Sequence, residues 1–155
     1  MTPNVDERLA SVIRALTEVI LPHLPPEASL AHEQAHLAVG HLQILRAQLD
    51  AVPGFEREEL DDAIAIANAL GMVAGGAQTI AARAALQTSA KAADGSDVRG
   101  QRQAIHVAVD VLVRAVAADG NPADKAATTQ IILKHEHARA QKDRQWFAPF
   151  GFDTL

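Results

Sequence analysis

Alanine is the feature that most restricts what this chain can fold into: 32 of its 155 residues are alanine. Alanine is the best intrinsic helix former and a poor strand residue, so the bias points to an all-α protein. Breakers then cut the sequence into periodic segments. Pro22, Pro25 and Pro26 close the first, Pro53-Gly54 the second, Asp94-Gly95-Ser96 the third, Gly120-Asn121-Pro122 the fourth and Pro149 the fifth. The spacing predicts five helices over residues 5–21, 27–51, 55–91, 98–118 and 122–147. Short connections make neighbours antiparallel, so the expected fold is a single-domain, five-helix up-and-down antiparallel bundle over 1–155 with an aromatic C-terminal tail.

Individual segments refine this reading. Leu9, Val12, Ile13, Leu16 and Ile20 recur every three or four positions and give the first helix one core-facing stripe. The third segment is long and carries Gly71, Gly75 and Gly76, which predicts a kink or break near Gly75. The fourth alternates Ile105, Val107, Val109, Val111 and Val113 as a strand would. Its polar residues decide for a helix, because Arg102, His106, Asp110 and Arg114 fall every four positions and form one narrow, solvent-facing stripe.

Composition excludes several function classes. Apolar residues make up 48% and charged residues 21%, ordinary globular values. A net charge of −5 offers no basic footprint, so neither nucleic acid nor an anionic membrane surface is an expected partner. No apolar run approaches membrane-spanning length and no secretory leader is evident, which predicts a cytoplasmic protein. The absence of cysteine removes thiolate nucleophiles and sulfur metal ligands and fits a reducing compartment.

Residues 32–36 read His-Glu-Gln-Ala-His, matching the H-E-x-x-H pattern in which two histidines four apart on a helix hold Zn²⁺ and the glutamate acts as base. His32, Glu33 and His36 are therefore the candidate metal set, for a zinc hydrolase or, through Glu33-x-x-His36, for a di-iron bundle. A third ligand is the obstacle. Glu56 has the right sequence spacing, but a second helix unbroken to residue 51 would carry it roughly 20 Å from His36. On a helical projection from Leu30, the large apolar residues Leu30, Leu37, Leu42, Ile44, Leu45 and Leu49 gather on one side and His32, His36, Gln43, Arg46 and Asp50 on the other. The two histidines are thus expected in water, and no metal or other cofactor is expected.

The same projection turns Gln34, His41 and Gln48 toward the apolar side at steps of seven. Polar groups at such positions fix helix register or oligomeric state when paired, so these three are candidate interface residues, with His41 expected to be at least half buried. A second unusual region lies at the carboxyl end. Residues 134–145 read KHEHARAQKDRQ, too polar to be sealed in a core and suited to bridging a partner. Directly after it, Trp146, Phe147, Phe150 and Phe152 bring together four of the five aromatics. Such a cluster must dock, either on its own bundle or in a groove of a second copy.

The stretches ERLASVIRAL, EVILPHL and HLAVGHLQILRAQL, within residues 7–49, resemble a family of small helical bacterial proteins of unknown function encoded near acyl-CoA dehydrogenases and phosphotransferase-like kinases. The resemblance implies an accessory role and carries over no functional residue. Taken together, the sequence predicts a non-catalytic interaction or accessory protein that partners itself as a homodimer or another protein.

Overall fold

The computed structural model describes residues 3–91 and 97–148. All regular structure among them is helical: α1 (Val5–Arg14), α2 (Ser29–Gln48), α3 (Val52–Leu70), α4 (Ala77–Lys91), α5 (Val98–Asp119) and α6 (Pro122–Phe147). A π-helical turn (Ala15–Ile20) and a 3-10 turn (Leu21–His23) extend α1 to the proline-rich connection. The all-α expectation holds, but the helix count is six rather than five. The difference lies in the long third segment, which breaks into α3 and α4 around Gly71–Gly76. The segment from Ile105 to Val113, whose alternation competes with a strand, lies inside α5 and is helical as its polar spacing predicts.

Local chemistry explains the helix starts. Asn4 Oδ1 accepts from the Glu7 backbone N–H at 2.8 Å while Glu7 Oε2 accepts from the Asn4 N–H at 2.9 Å, a reciprocal capping box. Asn121 and Asp124 repeat this arrangement at α6, with Pro122 at the first helical position, where its missing N–H costs nothing. Asp97 caps α5 by accepting from the Gly100 N–H at 2.8 Å.

The chain divides into two compact units, residues 1–53 and 54–155. In the first, α1 and α2 form an antiparallel hairpin. Asp6 in the first turn of α1 receives two hydrogen bonds from Arg46 in the last turn of α2, at 2.6 and 3.1 Å. Leu9, Ile13 and Leu16 are partly buried, whereas Val12 and Ile20 of the expected stripe are exposed.

The second unit holds the main hydrophobic core, built from Leu60, Ile66 and Leu70 of α3, Leu86 of α4 and Ile105, Leu112 and Val116 of α5. Contacts between helix ends set the directions. Gln78 and Thr79 at the start of α4 meet Asp119 at the end of α5, and Gln101 near the start of α5 donates to the Ala90 carbonyl near the end of α4. These two helices are antiparallel. Between them Ala82, Ala108 and Ala115 are buried, small enough for the backbones to approach closely.

The α3–α4 break is shaped by one carboxylate. Asp119 accepts from the Thr79 hydroxyl and, at 2.7 Å, from the Gln78 N–H, so it serves as the N-terminal cap of a helix 40 residues earlier in sequence. A Cβ on Gly76 would lie 2.6 Å from Asp119 Oδ2, so only glycine admits the carboxylate there. The hydrogen bond from Thr79 leads the causes that hold the Asp119 carboxyl below its ordinary pKa, followed by the opposing effect of burial and by the Gln78 and Thr79 backbone amides.

Gly76→Ala is therefore expected to lower the thermal midpoint clearly and to increase hydrogen exchange in the first turn of α4. Gly54→Ala, whose added methyl meets open space, is the control and should leave both unchanged. Equal melting curves for the two variants would remove the capping role.

Candidate functional site

The His-Glu-Gln-Ala-His segment lies near the start of α2 as expected, but its rings face backbone. His36 Nδ1 lies 2.8 Å from the His32 carbonyl and His32 Nε2 lies 3.3 Å from the Pro25 carbonyl, each nitrogen placed to donate. Both histidines thus commit one nitrogen to the chain, leaving one each for any ligand. His36 is exposed and His32 half-buried. Glu56, the sequence candidate for a third ligand, is engaged by Arg99 at 2.6 Å within the second unit. Among the described residues no three His, Asp or Glu side chains converge in a geometry that could hold a metal ion.

The facing of α2 departs from the helical projection only in part. Asp6, Ile13, Gln43, Arg46 and Ala47 line one shallow cleft, so α1 borders the Gln43 and Arg46 edge of α2, while His36, Gln43, Arg46 and Asp50 stay exposed as expected. The apolar side is divided: Leu30 is 68% exposed, Leu37 45% and Leu45 55%, whereas Leu42 and Leu49 are half-buried. Gln34 and His41, expected inward, are exposed; Gln48 is buried as expected, and so is Ile44. The physical reason is that Arg46 has a charged partner on α1. The Asp6 ion pair holds the hairpin by the polar side, and neither that pair nor the direction of α1 can be read from one helix's own periodicity.

The aromatic end is partly described. Trp146 stacks on Phe55 of α3 with ring centroids 4.4 Å apart and planes inclined by 28°. Docking on its own chain is thus achieved for this ring. The Phe147 side chain, Phe150 and Phe152 lie outside the described residues.

The polar stretch of α6 bridges to α3. Lys142 Nζ donates to Asp62 Oδ2 at 2.6 Å and stands 3.5 Å from Glu58. Burial opposes the ammonium charge, but Asp62 and then Glu58 outweigh it and raise the Lys142 pKa. One turn away, Glu59 is 6% exposed and has Arg102 of α5 and Arg139 of α6 each at 3.7 Å. Arg102 and His106 therefore belong to a half-buried cluster. Only Asp110 and Arg114 form the exposed i,i+4 ion pair expected of the whole stripe. His106 is pushed below its ordinary pKa, first by burial and then by the Arg139 and Arg102 charges, against the weaker pull of Glu136 and Glu59.

Glu59 escaped the sequence reading because it sits in the acidic run Glu56, Glu58, Glu59, Asp61, Asp62, which looks like an ordinary solvated face. The usable signal was the complementary basic content of residues 134–145. Between α4 and α5 lies an open groove of about 550 Å³ floored by Ala81, Ala85 and Ala115 with Arg114 at its rim. It brings together no nucleophile, acid or base. Comparison with family models, with curated proteins and with solved structures finds no match.

Two outcomes follow from the charge cluster. Glu59→Gln removes the carboxylate that Arg102 and Arg139 share, leaving Arg139 with Glu136 alone, and should cost about 1–3 kcal/mol, less than a fully buried pair because both arginines are partly exposed; chemical denaturation measures it, and an unchanged midpoint refutes it. For His106, the lowered folded pKa means that the unfolded chain takes up the proton first on acidification. Its contribution to stability is full above 6.5, its ordinary value, and is lost as pH falls from there through the folded value. His106→Gln should flatten the acid-side fall in melting temperature relative to the parent chain, and parallel curves would contradict this.

Proposed function

We propose that this chain is a non-catalytic helical interaction or accessory protein that forms homo-oligomers, and that its working surface is the open apolar side of α2. The observation that carries the reading is the distribution of exposed hydrophobics. The short first unit leaves Val12, Val19, Leu30, Leu37 and Leu45 uncovered, a concentration that in a folded chain marks an interaction site. The second unit has the larger buried core, although Met72, Ile80, Val107, Val111 and Leu133 are exposed there. The reading takes the architecture as an up-and-down antiparallel bundle whose first hairpin offers one side to a partner helix. A cysteine-free composition suits work in a reducing, cytoplasmic setting, and a net negative chain without a membrane-spanning helix among its described residues suits a protein partner better than nucleic acid or lipid.

Light scattering at high chain concentration, with elemental analysis of the same sample, tests this reading. A mass above that of one chain is expected, with no stoichiometric zinc or iron. The double variant Leu30→Asn, Leu37→Asn should return the mass to one chain without lowering the melting temperature, since both side chains are already exposed. A strict monomer at every concentration would overturn self-association. Stoichiometric metal that disappears in His32→Ala, His36→Ala would replace the whole reading with a metal-binding one.

A further inference from the structure

We infer that the carboxyl-terminal half of α6 is a releasable strap, which lets go of α3 when salt weakens its ion pairs while α3, α4 and α5 stay folded. This device lies in the second unit and is independent of the open side of α2.

α6 changes character at Ile132. Before that point Asn121 and Asp124 close a capping box, Thr128 is buried, and Ile131 and Ile132 pack against the core. From Leu133 to Gln145 no residue is buried. The first half is therefore anchored by apolar burial and the second half is not. Letting go beyond Ile132 takes no large aliphatic side chain of α6 out of a core, because Leu133 is already 64% exposed. Such an opening costs far less than unfolding the unit.

The second half is held by polar groups that reach one strip of α3. Arg139, Lys142 and Trp146 follow one another at spacings of three and four, which places them on one side of α6. Arg139 meets Glu59, Lys142 meets Glu58 and Asp62, and Trp146 meets Phe55. Water reaches most of these groups: the side chains of Lys142 and Arg139 are 28% and 38% exposed, those of Asp62 and Glu58 39% and 65%. Ion pairs in such a setting hold loosely, and salt screens them.

The shielded member of the set is poorly satisfied. Glu59 has Arg102 and Arg139 at 3.7 Å, close enough for charge attraction and too far for a hydrogen bond. Glu59 Oε1 and Arg139 Nε are buried without a hydrogen-bond partner among the described residues. Closing the strap thus dehydrates two charged groups without returning their hydrogen bonds, and opening it rehydrates them. Attraction and dehydration oppose each other here, so the contact rests on a small difference that ionic strength can shift. Opening bares an acidic strip with one aromatic ring, Phe55 and Glu59 beside Glu58 and Asp62, which α6 otherwise covers.

Trp146 is the one tryptophan of the chain and sits at the far end of the strap, so its exposure reports opening. Quenching of its fluorescence by acrylamide, a neutral molecule, and hydrogen exchange of the full chain are measured from low salt to about 1 M sodium chloride, where charges are screened within roughly 3 Å. Quenching should rise with salt, and the amides of residues 136–146 should exchange roughly fivefold faster for the screening of two partly exposed pairs, while those of residues 105–116 in α5 stay protected. Lys142→Met, which keeps the stem and removes the charge, should show the high-salt values already at low salt. Lys125→Met, an exposed position in the anchored half, should change neither readout. Quenching and exchange that ignore salt, or exchange of residues 136–146 that keeps pace with α5, would overturn the strap. So would a Lys142→Met chain in which α5 loses protection together with α6, because the second half would then be part of the core.

Discussion

The close approach of α4 to α5 is the constraint on which the second unit depends. With few large side chains available, tight packing comes from alanines at the helix contacts and from a handful of fully buried residues, Leu86, Ile105, Leu112 and Val116 among them. Such packing holds only if the helix ends are fixed, since alanine contacts give little area and interlock poorly. Asp119 fixes one end by capping α4 from α5. The turn at Gly75-Gly76 supplies the room, and the same turn explains why a segment that reads as one helix is two.

Electrostatics completes what apolar burial leaves short. Residues of α6 beyond Leu133 present almost no apolar surface, so the helix is held by Lys142 and Arg139 on the acidic side of α3, and at its end by Trp146 on Phe55. Paired charges of this kind gain little where water reaches them and more where Glu59 is shielded. His106 sits at the edge of the shielded zone, which is why its proton affinity is reduced.

The first unit follows a different logic. There the hairpin is fastened by one ion pair between Asp6 and Arg46 and by partly buried Leu9, Ile13 and Leu16. Fastening α2 at Arg46 leaves Leu30, Leu37 and Leu45 turned out. A reading of amphipathicity assumes that the more apolar side faces inward, and on α2 this holds for Leu42, Ile44 and Leu49 but not for the other leucines.

Alanine content, the 3.6-residue periodicities and the Asn, Pro and Gly punctuation by themselves determined that this protein is helical and where most helices begin and end. Those signals are local, and caps act within a turn of the residues that make them. Only the tertiary structure decided which side of α2 is covered, that Asp119 caps α4, that Glu59 gathers Arg102 and Arg139, and that Trp146 meets Phe55. Each of these depends on groups brought together from 40 or more residues apart, and periodicity within one helix carries no information about which neighbour arrives.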